Sequence, residues 1–450
     1  MRFRPALLVV LTFGGLILAG FVVLRGFIHP VGQAETDIIT VAFTSVSAVC
    51  VTGLTVVDLS RDVGFVGQLA VLVLIQIGGL GVLTLSNWVL LSLRGRLSVY
   101  GSILTLDTVG AHPRVSPSVL VRRIILFTLS TEAVGALILF LRFSVDFQPR
   151  QAIWLAIFHS VSAFCNAGFS LFSGSLMEYR EDFVVNLTVM ALIMVGGIGF
   201  IAAVDVIEKA GATIKGMRRK LAVHTRVVLA ASFLLIVTGA LLFLVFEWNN
   251  TFATETAGGE FVQSFFLSVT ARTAGFNTVE IAHLTNMTLV IVIILMIIGA
   301  SPGSTGGGVK TTSLVVLWAL VRAHFVNRPE AEVGHRRVPP ELVAKALALV
   351  VLYGFIVVVG MIALQATEFG EVPHQATRGM FLEHLFEVVS ALSTVGLSTG
   401  VTKHLSDEGL VVLMALMFIG RVGPLVIAAS LIGERSLLGY RLPEADIMIG

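Results

Sequence analysis

The sequence predicts an all-α polytopic membrane protein in which one structural unit recurs four times. Composition, apolar run length and a repeated pair of glycine landmarks carry that expectation. Of 450 residues, 56% are hydrophobic and 13% charged, against about 25% charged in an ordinary soluble chain. Runs such as Leu289 to Ile298 and Ala346 to Leu364 reach, alone or with their flanks, the roughly 20 residues a helix needs to cross a bilayer. The opening run, MRFRPALLVVLTFGGLILAGFVVL, is too long for a signal peptide and no A-x-A-like site follows it, so it reads as the first spanning helix. Cys50 and Cys165 provide no disulfide framework.

The repeat is visible in four segments: FTSVSAVCVTGL, FHSVSAFCNAGF, FFLSVTARTAGF and FEVVSALSTVGL. Their glycines are Gly53, Gly168, Gly275 and Gly396, spaced by 115, 107 and 121 residues, each with a phenylalanine ten residues earlier. A second landmark follows at offsets of 25, 28, 24 and 24: GGLG from Gly78, GGIG from Gly196, GASPG from Gly299 and GRVG from Gly420. Two landmarks in register four times argue for one duplicated unit. Its boundaries read as 1–96, 97–214, 215–336 (with a broken second helix) and 337–450 (with a C-terminal tail).

Each unit reads as an apolar helix, a short half-apolar segment ending in the glycine loop, and a second apolar helix. The middle segments, such as Ile39 to Cys50 and Trp154 to Cys165, are too short to span and fit re-entrant helices. Irregular backbone at that depth is tolerated only where protein buries it or water reaches it. The expected architecture is eight spanning helices and four re-entrant pore helices around a pseudo-fourfold pore. Twenty of the 30 Lys and Arg residues fall at the two ends and in three linkers, roughly Leu93–Arg122, Lys209–Arg226 and Val321–Leu342. The positive-inside rule then puts both termini in the cytoplasm and turns the loops outward.

The loops offer backbone carbonyls and no acidic side chain. A ring of carbonyls can replace the hydration shell of potassium, and glycine permits the backbone turn that aims them. The filter candidates are Val51-Thr52-Gly53-Leu54, Asn166-Ala167-Gly168-Phe169, Thr273-Ala274-Gly275-Phe276 and Thr394-Val395-Gly396-Leu397. Thr52, Asn166, Thr273 and Thr394 are the side chains expected to brace that backbone. Helix C-termini add partial negative charge toward a cation. The competing reading gives the glycines to close helix packing.

These loops, the fourfold unit and SPGSTGGGVKTT after the third loop resemble the Trk/Ktr/HKT superfamily of potassium transporters over essentially the whole chain. Within it the chain looks closest to the bacterial Ktr membrane subunits. It opens directly with the first unit, without the two extra N-terminal helices of Trk-type members, and ends in PEADIMIG without a soluble domain. The resemblance implies a plasma-membrane subunit that conducts K+, with Gly53 matching the potassium-selective pattern. It also implies a homodimer on a cytosolic ring of nucleotide-binding regulatory subunits. The chain has no nucleotide motif of its own, so no cofactor is expected on it and any nucleotide control comes from that partner. Nothing points to nucleic acid.

The third unit departs from the others. Glycines and Pro302 between Gly299 and Ser313 cannot sustain a straight helix. The helix is expected to break, leaving Ala300, Ser301, Pro302, Gly303, Ser304, Thr305, Gly306, Gly307, Gly308 and Lys310 as a polar loop below the third filter loop. The family resemblance implies a gate there. Arg421, 25 residues after Gly396, is expected in the cavity below the filter as the other gate element; the alternative is a structural pair with an acid. Arg272 is expected to pair with a carboxylate behind the filter, and Glu132 to be more buried than Asp205. His159, Glu383, His384 and Glu387 form no visible metal or catalytic set. Two other functions compete: a sodium-coupled or sodium-permeable transporter on the same scaffold, and an intramembrane enzyme. The latter needs paired acids, a Ser/Lys dyad or a His/Asp metal site, and none is visible.

Overall fold

Apolar runs and their breakers set the element order. The structure, a computed structural model, describes residues 5–28, 37–81, 117–253, 257–370 and 372–424. The helices there are α1 (Pro5–Leu24), α2 (Ile38–Cys50), α3 (Phe65–Leu80), α4 (Pro117–Phe143), α5 (Pro149–Phe164), α6 (Phe183–Gly197) and α7 (Phe200–Ile214). They continue with α8 (Val223–Glu247), α9 (Ala257–Thr270), α10 (Asn286–Ile297), α11 (Thr311–Phe325), α12 (Pro340–Phe369), α13 (Met380–Leu392) and α14 (Asp407–Val422). A hairpin of β1 (Glu332–Val333) and β2 (Arg336–Arg337) lies between α11 and α12. Part of the first linker, both ends of the chain and the DIMIG tail lie outside the described residues.

Four short helices, α2, α5, α9 and α13, occupy the segments read as re-entrant. α5 starts at Pro149, five residues before the expected Trp154, because Pro149 supplies a favourable first position. Among the described residues, Val121–Phe143, Val223–Glu247 and Pro340–Phe369 are each long and apolar enough to cross a membrane. α6 and α7 pass that test only as a pair, bent by 106°. The expectation of a break confined to the third unit is therefore corrected: the second unit breaks too, at Ile198-Gly199, within the GGIG landmark. Gly199 has φ of +89° there, a conformation that ends a right-handed helix.

The packing closes on itself. α3 packs against α5, α6 against α9, α10 against α13, and α14 against α2. Each helix that follows a glycine loop thus touches the short helix of the next set, and the fourth returns to the first.

The second landmark glycines mark where two backbones touch. A Cβ placed on Gly78 would lie 2.1 Å from the Val49 carbonyl oxygen, on Gly196 2.0 Å from that of Phe164, and on Gly420 1.9 Å from that of Leu392. All three carbonyls lie four residues before a loop glycine, in the last turn of a short helix. In the third set the equivalent Gly299 instead faces the Gly307 oxygen at 2.1 Å, because the broken segment takes that place. Any side chain at Gly196 must push two helices apart. Gly196→Ala is expected to cost about 1–3 kcal/mol or more, read as a lowered melting temperature in detergent. An unchanged melting temperature would mean that α5 and α6 can separate freely.

Candidate functional site

The site begins where the short helices stop. α2, α5 and α13 end in the same two hydrogen bonds. Val51 N–H donates to Ala48 O (3.2 Å) and Thr52 N–H to Ser47 O (2.9 Å). Asn166 and Ala167 repeat this on Ala163 and Ser162 (3.1 and 2.8 Å), and Thr394 and Val395 on Ala391 and Ser390 (3.1 and 2.9 Å). This is the Schellman pattern, whose left-handed residue is usually glycine. Here it is Val51, Asn166 or Thr394, at φ of 56°, 57° and 50°. Thr273, at φ of 71°, takes the equivalent place after α9. Left-handed backbone at such residues costs of order 1–3 kcal/mol each and persists only where the surroundings enforce it.

Two residues later comes the loop glycine, again at positive φ: 94° at Gly53, 70° at Gly168, 80° at Gly275 and 91° at Gly396. The residues between, Thr52, Ala167, Ala274 and Val395, are not at positive φ. Alternating handedness turns successive carbonyls toward one side, where a straight strand would alternate them. The four loops then meet in a ring. A Cβ on Gly53 would lie 2.3 Å from Ala167 O, on Gly168 2.8 Å from Ala274 O, on Gly275 2.4 Å from Val395 O and on Gly396 2.1 Å from Thr52 O. Each loop's backbone thus abuts the next, and a side chain at any of the four glycines collides with it.

The bracing differs from the sequence expectation. The hydroxyls of Thr52, Thr273 and Thr394 are buried with no partner among the described residues. The Asn166 amide lies near the carbonyls of Ala163 and Ile193, which its nitrogen reaches when the amide is turned over (3.1 and 3.2 Å). The bracing hydroxyls instead stand on the short helices. Ser162 Oγ donates to Phe169 O (2.7 Å), Thr270 Oγ1 to Phe276 O (2.6 Å) and Ser390 Oγ to Leu397 O (2.6 Å), while Ser47 Oγ accepts from Gly53 N–H (3.1 Å). The carbonyls of Phe169, Phe276 and Leu397 are therefore occupied by the scaffold. A second brace pairs the residue nine before a glycine with the one two after it. His159 Nε2 meets Ser170 Oγ at 2.9 Å, and Glu387 accepts from Ser398 Oγ (2.6 Å), Thr399 N–H (3.1 Å) and Thr402 Oγ1 (2.6 Å). Sequence reasoning singled out His159 and Glu387 without finding this role. Their equal offset from Gly168 and Gly396 was the available signal.

Below the ring lies the broken segment. Gly306 lies against the Thr273 hydroxyl and Gly307 against Ser393 O and the Thr394 hydroxyl: a Cβ at either would come within 2.4 Å of them. The segment is tied to the break between α6 and α7. Ser301 N–H donates to Gly197 O (3.0 Å), Thr305 N–H to Gly196 O (3.3 Å), and Phe200 N–H to Gly303 O (3.0 Å). Lys310 Nζ donates to Gly306 O at 2.7 Å. Arg421 donates to Thr305 O and to Gly78 O, joining α14, the segment and α3. No carboxylate pairs with Arg421 among the described residues, where its partners are carbonyls. Arg272 likewise lacks the expected carboxylate and donates to Ser232 Oγ (3.2 Å). Glu132 is buried at 6% exposure, whereas Asp205 pairs with Arg219 (3.3 Å). No cluster of three metal-ligating side chains occurs among the described residues.

On the other side of the ring is a cavity of about 290 Å³, lined by all four loop glycines and by Asp58, Glu280 and Lys403. Burial raises the Asp58 pKa, but hydrogen bonds from Ser173 and Ser60 and the nearby Arg61 outweigh it and hold the carboxyl below its ordinary value. A depressed pKa keeps the charge as pH falls through the usual carboxylate range near 4. The stability it brings is present above the unfolded-state pKa and is lost only as pH falls through the lower folded value.

Two outcomes follow from this geometry. Removing a helix hydroxyl leaves a buried carbonyl unpaired, at about 1–3 kcal/mol. Ser390→Ala is therefore expected to lower the melting temperature in detergent by several degrees; an unchanged melting temperature would mean that another donor replaces the hydroxyl on Leu397 O. Asp58→Asn is expected to lower the melting temperature equally at pH 7 and pH 5, since the carboxyl stays charged across that range. A deficit that vanishes at pH 5 would mean that Asp58 is already protonated there.

Comparison with known proteins gives the family. The family model for TrkH, described as cation transport protein, matches residues 14–435. The chain is 36% identical to Ktr system potassium uptake protein B of Vibrio alginolyticus, over 98% of this chain and 94% of that protein. It is 34% identical to potassium/sodium uptake protein NtpJ of Enterococcus hirae, covering 100% and 98% of the two chains. It is 33% identical to the Bacillus subtilis Ktr system potassium uptake protein B over the same shares. The crystal structure of the potassium transporter TrkH from Vibrio parahaemolyticus shares the fold, with a TM-score of 0.73 at 21% identity over 96% of this chain and 85% of that one. With a family match over nearly its full length and a helical fold like that of TrkH, the chain belongs to the TrkH/Ktr family of membrane cation transport proteins.

Proposed function

We propose that this chain is the potassium-translocating membrane subunit of a K+ uptake system, with the four loops as its selectivity filter and the broken segment as its gate. The observation that carries this reading is the ring of four glycines, each seated against the carbonyl that precedes the next glycine. Four strands held that closely, with alternating handedness, present backbone oxygen to a dehydrated cation and no charged side chain. The filter runs over Val51–Leu54, Asn166–Phe169, Thr273–Phe276 and Thr394–Leu397. Leu54, Phe169, Phe276 and Leu397 complete the filter at its outer end, the last three with carbonyls that also accept from helix hydroxyls. The unpartnered hydroxyls of Thr273 and Thr394 sit at the inner mouth.

The segment from Ala300 to Lys310 lies beneath that mouth and obstructs it, folded on itself by the Lys310 bond to Gly306 O and latched by Arg421. The four sets act as repeats bounded near residues 96, 214 and 336, giving eight spans and four re-entrant helices about a pseudo-fourfold axis. The chain functions in the plasma membrane, with both termini cytoplasmic, as a homodimer on a nucleotide-binding regulatory ring. That assembly follows from resemblance to Ktr systems, whose membrane subunits include two of the relatives named above. A second reading, sodium permeation on the same scaffold, is favoured by the Enterococcus relative named for potassium and sodium uptake.

Isotope uptake into proteoliposomes tests both readings. Potassium or rubidium flux that sodium does not support is the expected result; equal sodium flux would favour the second reading, and no cation flux would overturn the first. Gly53→Ser is expected to lower potassium-over-sodium discrimination at least several-fold, since its side chain meets Ala167 O. Arg421→Ala is expected to raise flux a few-fold with discrimination intact, because the latch on Thr305 O is lost. Wild-type flux at normal abundance would remove Arg421 from the gate.

A further inference from the structure

Arg272 has no role in the site just described. It stands three residues before Gly275, at the end of α9, with 8% of its surface exposed. Its only side-chain hydrogen bond among the described residues goes to Ser232 Oγ, and its Nε is buried without a partner there. The partial negative charge at the C-terminus of α9 offsets only part of its charge. A buried cation without an anion is costly at membrane depth.

The same arginine lies on the floor of a groove. A cavity of about 650 Å³ opens between α6, α8 and α9, and Arg272 and Ser232 are the polar side chains among otherwise apolar and glycine lining residues. Its walls run from Phe183 and Phe261 to Ile198 and Leu229. Phe183, Phe233 and Phe261 are 62%, 70% and 50% exposed, so the groove faces outward from the bundle. Along α6 it extends from Phe183 to Ile198, about 22 Å at 1.5 Å per residue. An extended hydrocarbon chain advances about 1.3 Å per carbon, given C–C bonds of about 1.5 Å. The groove therefore takes a single chain of roughly 16 to 18 carbons.

We propose that this groove binds a long-chain fatty acid, its carboxylate on Arg272 and Ser232 and its tail along α6 and α9. The charge requires an anionic head, and a planar carboxylate suits a guanidinium with free N–H groups. The depth argues against a phospholipid head. Ser232 lies nine residues, about 13 Å, from the start of α8, well inside the hydrocarbon of a bilayer. A carboxylate is small enough to sit there, whereas a phosphodiester with its glycerol would drag an interfacial group inward. Because Arg272 precedes Thr273 directly, the occupied head site adjoins the third loop.

The test uses the full chain in nanodiscs of zwitterionic phosphatidylcholine and a diazirine-bearing palmitate. Cross-links are expected in peptides covering Phe183–Ile198 and Phe261–Arg272, competed by oleate and not by methyl oleate. Arg272→Gln should weaken labelling at least tenfold, while Arg272→Lys retains most of it. If Arg272→Gln fails to fold, Leu187→Trp, which fills the groove without touching the arginine, should abolish the same cross-links. Three results would overturn the proposal: equal competition by methyl oleate, competition by phosphatidylglycerol but not oleate, or labelling that disappears as the protein self-associates regardless of oleate. The last would assign the groove to a second copy of the chain.

Discussion

Backbone resting on backbone is the constraint from which the rest of this structure follows. At the four loop glycines a carbonyl oxygen of the next loop stands where a Cβ would be, between 2.1 and 2.8 Å. The contact is possible only if the loops arrive at the same depth with the same twist. That requirement explains the short helices, whose shared Schellman endings deliver each loop in one orientation. It explains the left-handed Val51, Asn166, Thr273 and Thr394, whose strain the surrounding contacts enforce. It also accounts for the landmark glycines Gly78, Gly196 and Gly420, which let the following helices press against the last turn of the short ones. Remove the close approach at either level and the ring widens.

The scaffold holds this arrangement by internal hydrogen bonds. Hydroxyls from α2, α5, α9 and α13 reach the loops from behind, and His159 and Glu387 clamp the outer strands of the second and fourth loops. These bonds are buried and short-ranged, so they act as fixed struts where surface pairs would be screened. Units one and three carry Thr44 and Phe266 at the equivalent position, so the clamp is not fourfold. The ring is symmetric in its backbone and asymmetric in its support.

Much of this was legible in the sequence, for a physical reason. Glycines required by steric contact cannot be exchanged, so their register survives duplication and displays both the repeat and the loops. The break at Pro302 was legible because proline and clustered glycine terminate helices by their own chemistry. The break at Gly199 was missed. Ile198-Gly199-Phe200 reads as continuous apolar helix, and only the neighbouring segment's hydrogen bonds give the kink its partners. The brace residues were misassigned among the threonines of the loops because a hydroxyl near a backbone looks like a brace in one dimension. The hydroxyls that brace lie about one helical turn earlier, on the short helices, and reach the loops only because the chain doubles back. Arg272 was expected to find an acid; no such partner stands near it among the described residues, and proximity to a specific carboxylate is not readable from spacing.

The interlock between the broken segment and the α6–α7 bend has a consequence for wetting. Ser301, Thr305 and Phe200 donate, and Gly196, Gly197 and Gly303 accept, three hydrogen bonds across the two breaks. The Gly196 and Gly197 carbonyls and the Phe200 N–H are groups that a helix leaves unpaired at its ends. While the segment is seated, each break satisfies the other and no solvent is needed at that depth. If it withdraws, six backbone groups lose their partners together in a medium where an unmet group costs several kcal/mol. Water must enter to replace them. The segment cannot leave a dry hole behind it: displacement and hydration of the inner cavity become one event, and the energy of that hydration sets how readily the segment moves.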